Sequence, residues 1–278
     1  MERCIIVVLT GLLVTGTGCA KPPQKAAAQI QGAAQAPDAD VISTFTLVGH
    51  GDQGRKKWEV RGRSADLLST TVHLSPVEAT SYGEIQLDVT ADEGWYHKET
   101  QNVELKKNVV AVTSDGARLT TESFQWQAQE GRGQTSDWVT VTRPGMTIVG
   151  QGGVCFPKMK KVRLERRVTV TMEGENGQTV VTCDGPMEVD YGRRTARFWR
   201  HVVVTDAKGT IRSDRMDILL LPAENRIEKA SFWGHVRIRQ ESQWATAHRA
   251  HYWQPQGRTS LIGHPRLVML PQDERWGE

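Results

Sequence analysis

The side chains best suited to chemistry in this 278-residue chain are its thiols and its clustered cations. Of the four cysteines, Cys19 directly follows the small residues TGTG, where a thiol can accept an acyl group. Cys4 lies in an apolar run, and Cys155 and Cys183 stand alone in the body of the chain. Neither of the last two has a C-x-x-C or zinc-like neighbourhood, so no metal site is expected, and Cys155 beside a histidine is the only thiol nucleophile to consider. Lys158, Lys160, Lys161, Arg163, Arg166 and Arg167 form one basic cluster, and Arg193, Arg194, Arg197 and Arg200 another. Guanidinium forks match phosphate oxygens, although cations on strand exteriors also discourage edge-to-edge aggregation. His248 and His251, three apart, fall on opposite faces of a strand and cannot share a metal. G-x-S-x-G, H-E-x-x-H, the P-loop and the dinucleotide fingerprint are all missing, and the carboxylates are scattered. No catalytic residue and no cofactor is expected; the chain does not read as an enzyme.

The first residues read as export machinery. Glu2 and Arg3 precede an apolar run from Cys4 to Val14, too short to span a bilayer comfortably. Residues 1–18 are therefore expected to be a signal peptide. The TGTGC ending resembles a bacterial lipobox, with Gly16 where leucine is usual, and implies lipidation at Cys19 as the mature N-terminus; ordinary cleavage without lipidation, or an uncleaved short anchor, is the alternative. In an exported chain Cys155 and Cys183 either form one disulfide or remain two thiols. Residues 19–42 follow as a lipidated start and flexible linker. The stretch AKPPQKAAAQIQGAAQAPDAD cannot bury much, and a loose chain of that length typically spans roughly 25 Å. The net charge of +3 is modest and dispersed, so nucleic acid is not an expected partner.

The elements that would carry these groups are strands. After Val41 no helical period emerges; KWEVRG, EIQLDVT, FQWQAQ, GHVRIRQ and similar short runs alternate with period two between Gly, Asp, Asn and Pro. A phrase of two apolar anchors before a glycine turn recurs, as in RRVTVTMEG and RHVVVTDAKG. Its anchors are Val110/Val112, Val139/Val141, Val168/Val170, Val202/Val204 and Val236/Ile238, at steps of 29, 29, 34 and 34 residues. Leu119, Phe124 and Trp126 continue the same alternation. Such spacing predicts an all-β chain of stacked, curved antiparallel sheets, each unit burying its apolar face against a neighbour. The thirteen anchors line either an open apolar groove or a closed core, since periodicity is the same in both. The nine tryptophans fit core packing or a groove rim.

The ordered phrases resemble the OstA-like domain of the lipopolysaccharide-export proteins LptC and LptA. FTLVGHGDQGRKKWEVRGRSADL (Phe45 to Leu67) and IQLDVTADEGWYHKETQNVELKKNVVAVTSDGARLTTESFQW (Ile85 to Trp126) are LptC-like. MEVDYGRRTARFWRHVVVTDAKGTIRSDRMDILLLPAENRIEKASFWGHVRIRQ (Met187 to Gln240) is closer to LptA. The resemblance implies an open β-jelly roll (β-taco) in two units, LptC-like at 43–184 and LptA-like at 185–278, with a seam near Cys183 to Pro186. It further implies a periplasmic carrier that holds lipid A acyl chains and passes lipopolysaccharide from the inner membrane toward the outer. The anchor would be in the inner membrane, or alternatively the outer. The implied partners are lipopolysaccharide, LptF/LptG-like transporter components, and LptA-like or LptD-like proteins joined by edge-strand pairing. The basic cluster from Lys158 to Arg167 would then contact lipid A phosphates. A scaffolding β-repeat lipoprotein with a closed core is the alternative.

Overall fold

The computed structural model describes residues 41–42, 45–50, 54–62, 65–66, 70–82, 86–174, 177–221, 227–241 and 243–269. The leader, Cys19 and the linker up to residue 40 lie outside them. The described chain is antiparallel β throughout, interrupted only by turns and 3₁₀ turns. It divides into two compact units. One runs up to Arg143 and includes Gly152–Val162; the other comprises Pro144–Gln151 and everything from Arg163 on. This division falls earlier in the chain than the expected seam at Cys183–Pro186, and it interleaves.

Each unit is built from long strands that bend at a corner. In the unit from Arg163 on, strand Thr195–Asp206 runs inward-facing Ala196 and Phe198, then exposed Arg200 and His201, then inward-facing Val202. Arg200 and His201 both adopt positive φ, 64° and 48°, and the ladder with Gly209–Leu220 shifts register between Trp199 and Val202. A β-bulge of this kind bends a strand sharply. Two short strands flank the two arms on the other side: Gly177–Cys183 pairs with residues Val203–Thr205, and Met187–Asp190 with Thr195–Phe198. The break between those short strands, Asp184–Pro186, sits at the same corner, where Asp184 N–H donates to the Arg200 carbonyl at 2.9 Å. Strand Ile227–Gln240 bends at Gly234 and His235, and Gln243–Trp253 is flanked by Arg258–Ile262 on one arm and Arg266–Met269 on the other. The unit before Arg143 repeats the design. Asn102–Thr113 bends at Lys107 and Asn108, with φ of 64° and 51°, and its arms pair with Leu87–Ala91 and Glu93–His97.

At four of the bends the inward residues before and after the corner lie four apart: Leu105 and Val109, Leu164 and Val168, Phe198 and Val202, Phe232 and Val236. All eight are buried, between 1% and 7% exposed. Asparagine, histidine and exposed long cations occupy the corners because they tolerate the left-handed region and remain in water. Gly133 is one of the glycines required for space: a Cβ there would sit 2.4 Å from Phe124 Cζ and 2.7 Å from Cys155 Sγ.

Candidate functional site

Directly opposed residues share a face of the sheet, so the pairing registers trace rows across the strands. In the unit from Arg163 on, one inward row reads Val170, Val181, Val204, Ile211, Ile238, Ala245, Leu267. No polar residue interrupts it. Six interstrand steps of about 4.8 Å give an apolar track roughly 29 Å long. The second arm carries a parallel row, Met187, Phe198, Met216, Phe232, Ala250, Leu261. Between them, at the corner, lie the opposed pairs Val168–Cys183, Val202–Ser213 and Val236–Ala247. The other unit has the row Val60, Ala79, Val89, Ala111, Leu119, Val141. Its second arm gives Val72, Tyr96, Val103, Trp126, Gly133, with Leu105 and Phe124 one step nearer the corner. Val72, Leu74, Val77, Ala91, Leu105 and Val109 pack there as one cluster, against which Val60, Val89, Tyr96, Val103 and Phe124 close.

Eleven of the thirteen anchors fall on these inward faces: Leu119, Phe124, Trp126, Val139, Val141, Val168, Val170, Val202, Val204, Val236 and Ile238. Val110 and Val112 do not. Val110 opposes Thr90 and Thr120, and Val112 opposes Asp88 and Arg118, so both belong to the outer face. Val109 and Ala111 take their places. The corrected first residues are Val109, Val139, Val168, Val202 and Val236, all exposed by 5% or less. In NVVAVT the valines on both faces disguise the phase; Asn108, the corner residue, is the signal that sets it.

The inward face is packed. Val168, Val202 and Val236 are each 1% exposed and Met216 2%. Apolar residues reach water in the last strands, where Ile262, Leu267 and Met269 are 46%, 56% and 61% exposed. There the rows thin to Ala245, Ala247 and Ala250, one strand after Ile238, Val236 and Phe232.

Cys155 and Cys183 are free thiols, which corrects the disulfide alternative. Cys155 packs toward Phe124 and Gly133, Cys183 opposes Val168, and the two sit in different units. Burial pushes both thiols above their ordinary pKa, so neither is an activated nucleophile. The basic residues divide by role. Lys158, Lys160, Arg163, Arg166 and Arg167 are exposed and Lys161 half-buried. Lys160, at φ 55°, closes the turn after Pro157–Met159, Arg167 is a corner residue donating its N–H to the Asp184 carbonyl at 3.0 Å, and Arg163 pairs with Glu165 at 3.1 Å. Arg193 faces Asp190, and Arg200 donates to the Gly185 carbonyl.

Two tryptophans belong to an outer ladder and a third, Trp253, to a separate row between Lys229 and Arg258, an arrangement that only cross-strand register reveals. Trp199, Arg215, Trp233 and Arg249 oppose one another in succession. Arg215 lies 5.6 Å from the Trp199 ring and Arg249 4.7 Å from Trp233. Trp253 is held by Lys229 at 4.9 Å and Arg258 at 4.5 Å. Their ring faces are occupied by cations, so they are neither core nor groove rim. Among the described residues no His/Cys/Asp/Glu cluster could hold a metal, and no helix is long and apolar enough to cross a membrane.

Fold and site together define an antiparallel β-jelly roll of bent strands in which each unit carries apolar rows across its inner face. Residues 4–173 match the family model of lipopolysaccharide-assembly, LptC-related proteins, and residues 181–276 match that of the LptA/(LptD N-terminal domain) lipopolysaccharide transport proteins. The chain belongs to the LptC-related lipopolysaccharide-assembly family and continues into an LptA/LptD N-terminal-type domain. No curated protein sequence matches it. Among solved structures it is similar to LptH from Pseudomonas aeruginosa, the LptA homologous periplasmic component of that organism's lipopolysaccharide transport device. Identity is 11%, over 57% of this chain and 96% of that one, with a TM-score of 0.26.

Proposed function

We propose that the chain is a periplasmic lipopolysaccharide carrier whose apolar rows hold the acyl chains of lipid A and pass the lipid toward the outer membrane. The observation that carries this reading is the unbroken row from Val170 to Leu267, which runs across the strands rather than along one of them. A chain of about ten methylenes gains roughly 8 kcal/mol on leaving water, and a track without polar interruption offers it no preferred stopping point. Because Val168, Val202 and Val236 are fully packed, cargo enters by displacing contacts between the two arms. The corners, which hold exposed residues rather than core, are the places where an arm can swing. The alanines at 245, 247 and 250 and exposed Leu267 and Met269 make the last strands the least filled part of the track. That end suits pairing with an LptA-like or LptD-like strand; the opposite end suits LptF/LptG-like components of the inner-membrane transporter. Cys19 supplies the lipid anchor, in the inner membrane, and the cluster from Lys158 to Arg167 supplies phosphate contacts. Residues 43–184 and 185–278 act as successive LptC-like and LptA-like carriers.

A photo-crosslinking residue at Val170, Val204 or Val109 is expected to capture lipopolysaccharide in cells, while one at Val110 or Val112 is not. Absence of adducts at every inward position refutes the carrier reading. The packed interior favours one alternative, a scaffolding β-repeat lipoprotein. Purified protein that neither retains lipid nor binds an apolar dye while folded would select it.

A further inference from the structure

We infer that the outer face of the arm formed by Gly209–Leu220, Ile227–Gln240, Gln243–Trp253 and Arg266–Met269 is a docking surface for an anionic bilayer. Two rows on that face carry it. Arg212 directly opposes Arg237, and Arg237 leads through Thr246 to Arg266. The adjacent row opposes Thr210, Arg239 and Trp244. No Asp or Glu occupies either row on these strands. Arg212, Arg237, Arg239 and Arg266 are all exposed, as is Trp244 at 43%. None of the four guanidinium groups has an ion-pair or hydrogen-bond partner among the described residues, whereas nearby Arg215 is forked onto Asp217 at 2.7 and 2.6 Å.

Like charges directly opposite on antiparallel strands destabilise a sheet, so the Arg212–Arg237 pair opposes folding and is relieved only by an external anion. The chemistry of that anion follows from the face. It is a sheet surface rather than a pocket, which fits an extended array of charges better than a single small ligand. Guanidinium forks select phosphate oxygens over isolated carboxylates. An exposed indole beside cations is the signature of a headgroup boundary, apolar ring inward and N–H in water. The occupant is therefore a layer of acidic phospholipid headgroups. This surface lies on the opposite side of the sheet from the apolar rows, and it holds the carrier flat on a membrane without involving the cargo track.

The test is flotation of the full chain with vesicles of pure phosphatidylcholine and with vesicles carrying about one-third phosphatidylglycerol, so that the leader contributes equally throughout. Each basic residue at such a surface is worth about fivefold in partitioning, so R212Q/R237Q is expected to lose roughly 25-fold of the binding to acidic vesicles. It should melt no lower than wild type, because a repulsion is removed. K57Q/R118Q, which removes the same charge from exposed positions of the other unit, should stay within about twofold. Raising salt should erase the difference between the two vesicle types, and crosslinking of lipopolysaccharide at Val204 should be unchanged in R212Q/R237Q. Equal binding to both vesicle types, a loss under twofold in R212Q/R237Q, or an equal loss in K57Q/R118Q overturns the assignment. So does preference for polyglutamate over acidic vesicles, which would give the face to an acidic protein.

Discussion

Val109 and Val110 are adjacent, identical in type and in the same strand, yet the structure assigns them opposite faces. Truncating each to alanine isolates that difference, because the loss of β-branching is common to both. Val109 is 3% exposed and belongs to the cluster with Leu105, Val77 and Ala91. Removing its two methyl groups forfeits roughly 1.6 kcal/mol of transfer energy. The cavity left beside Leu105 and Val77 brings the total to about 2–3 kcal/mol. Val110 lies half-buried between Thr90 and Thr120 on the outer face, and V110A should cost no more than about 1 kcal/mol. A domain of this size loses roughly 2–4 °C per kcal/mol, so V109A should melt about 4–12 °C below wild type and V110A within about 4 °C. Urea titration at matched slope gives an independent value. Val110 proving as costly as Val109 would refute the corner at Lys107–Asn108 and the apolar rows built upon it.

Other consequences follow from single sites. Gly133→Ala forces a Cβ against Phe124 and Cys155 and should cost about 1–3 kcal/mol by overpacking; Phe124→Leu in the same chain should recover part of it in thermal denaturation. Glu59 accepts from Lys56 at 2.9 Å and Arg61 at 2.7 Å, which holds its pKa at about 2 against an ordinary 4.5. Its contribution is present above pH 4.5 and lost as pH falls toward 2, so the stability gap between wild type and E59Q should narrow across that window. His201 runs the other way: Asp184, 2.6 Å away, raises its pKa. Protonation is favoured by folding, and this small exposed contribution should fade as pH rises through the raised value; an unshifted histidine titration by NMR would contradict the contact. Cys155 and Cys183 should resist a thiol reagent in the native protein and react together in urea, adding two equivalents per chain to the native count; a single intramolecular bond between them on a non-reducing gel would contradict the free thiols.

The fold was legible because period-two alternation and glycine turns are local signals, and a bent strand leaves both intact. What stayed hidden was the bend itself. A corner inserts exposed residues in mid-strand, and in sequence they look like ordinary outward positions: Arg200 and His201 read as part of RHVVVT, Lys107 and Asn108 as part of KKNVVAV. Where polar residues mark the far side of the phrase, as Thr169 does between Val168 and Val170, the phase could be read. Where valine sits on both faces it could not, and Val110 and Val112 were placed one residue out. The free state of Cys155 and Cys183 was hidden for a different reason, since pairing depends on distant chain.

Faces that carry no period were equally silent. The Trp199–Arg215–Trp233–Arg249 ladder and the opposed Arg212 and Arg237 are assembled by register across strands from residues 16 to 25 positions apart. In the sequence each is one charged or aromatic residue among many. Register turns them into rows, and the same operation turns scattered valines into a track. The inner rows owe their continuity to repetition, because every strand offers the same apolar position at the same distance from its corner. The outer rows follow no such repetition, and differences between one rung and the next are concentrated there. Such a division lets the inner face remain uniform while the outer face of each rung changes independently. Substitutions at Arg212, Arg237 or Arg239 should therefore leave cargo capture intact, and a charge at Val204 should abolish it with the outer face unaltered.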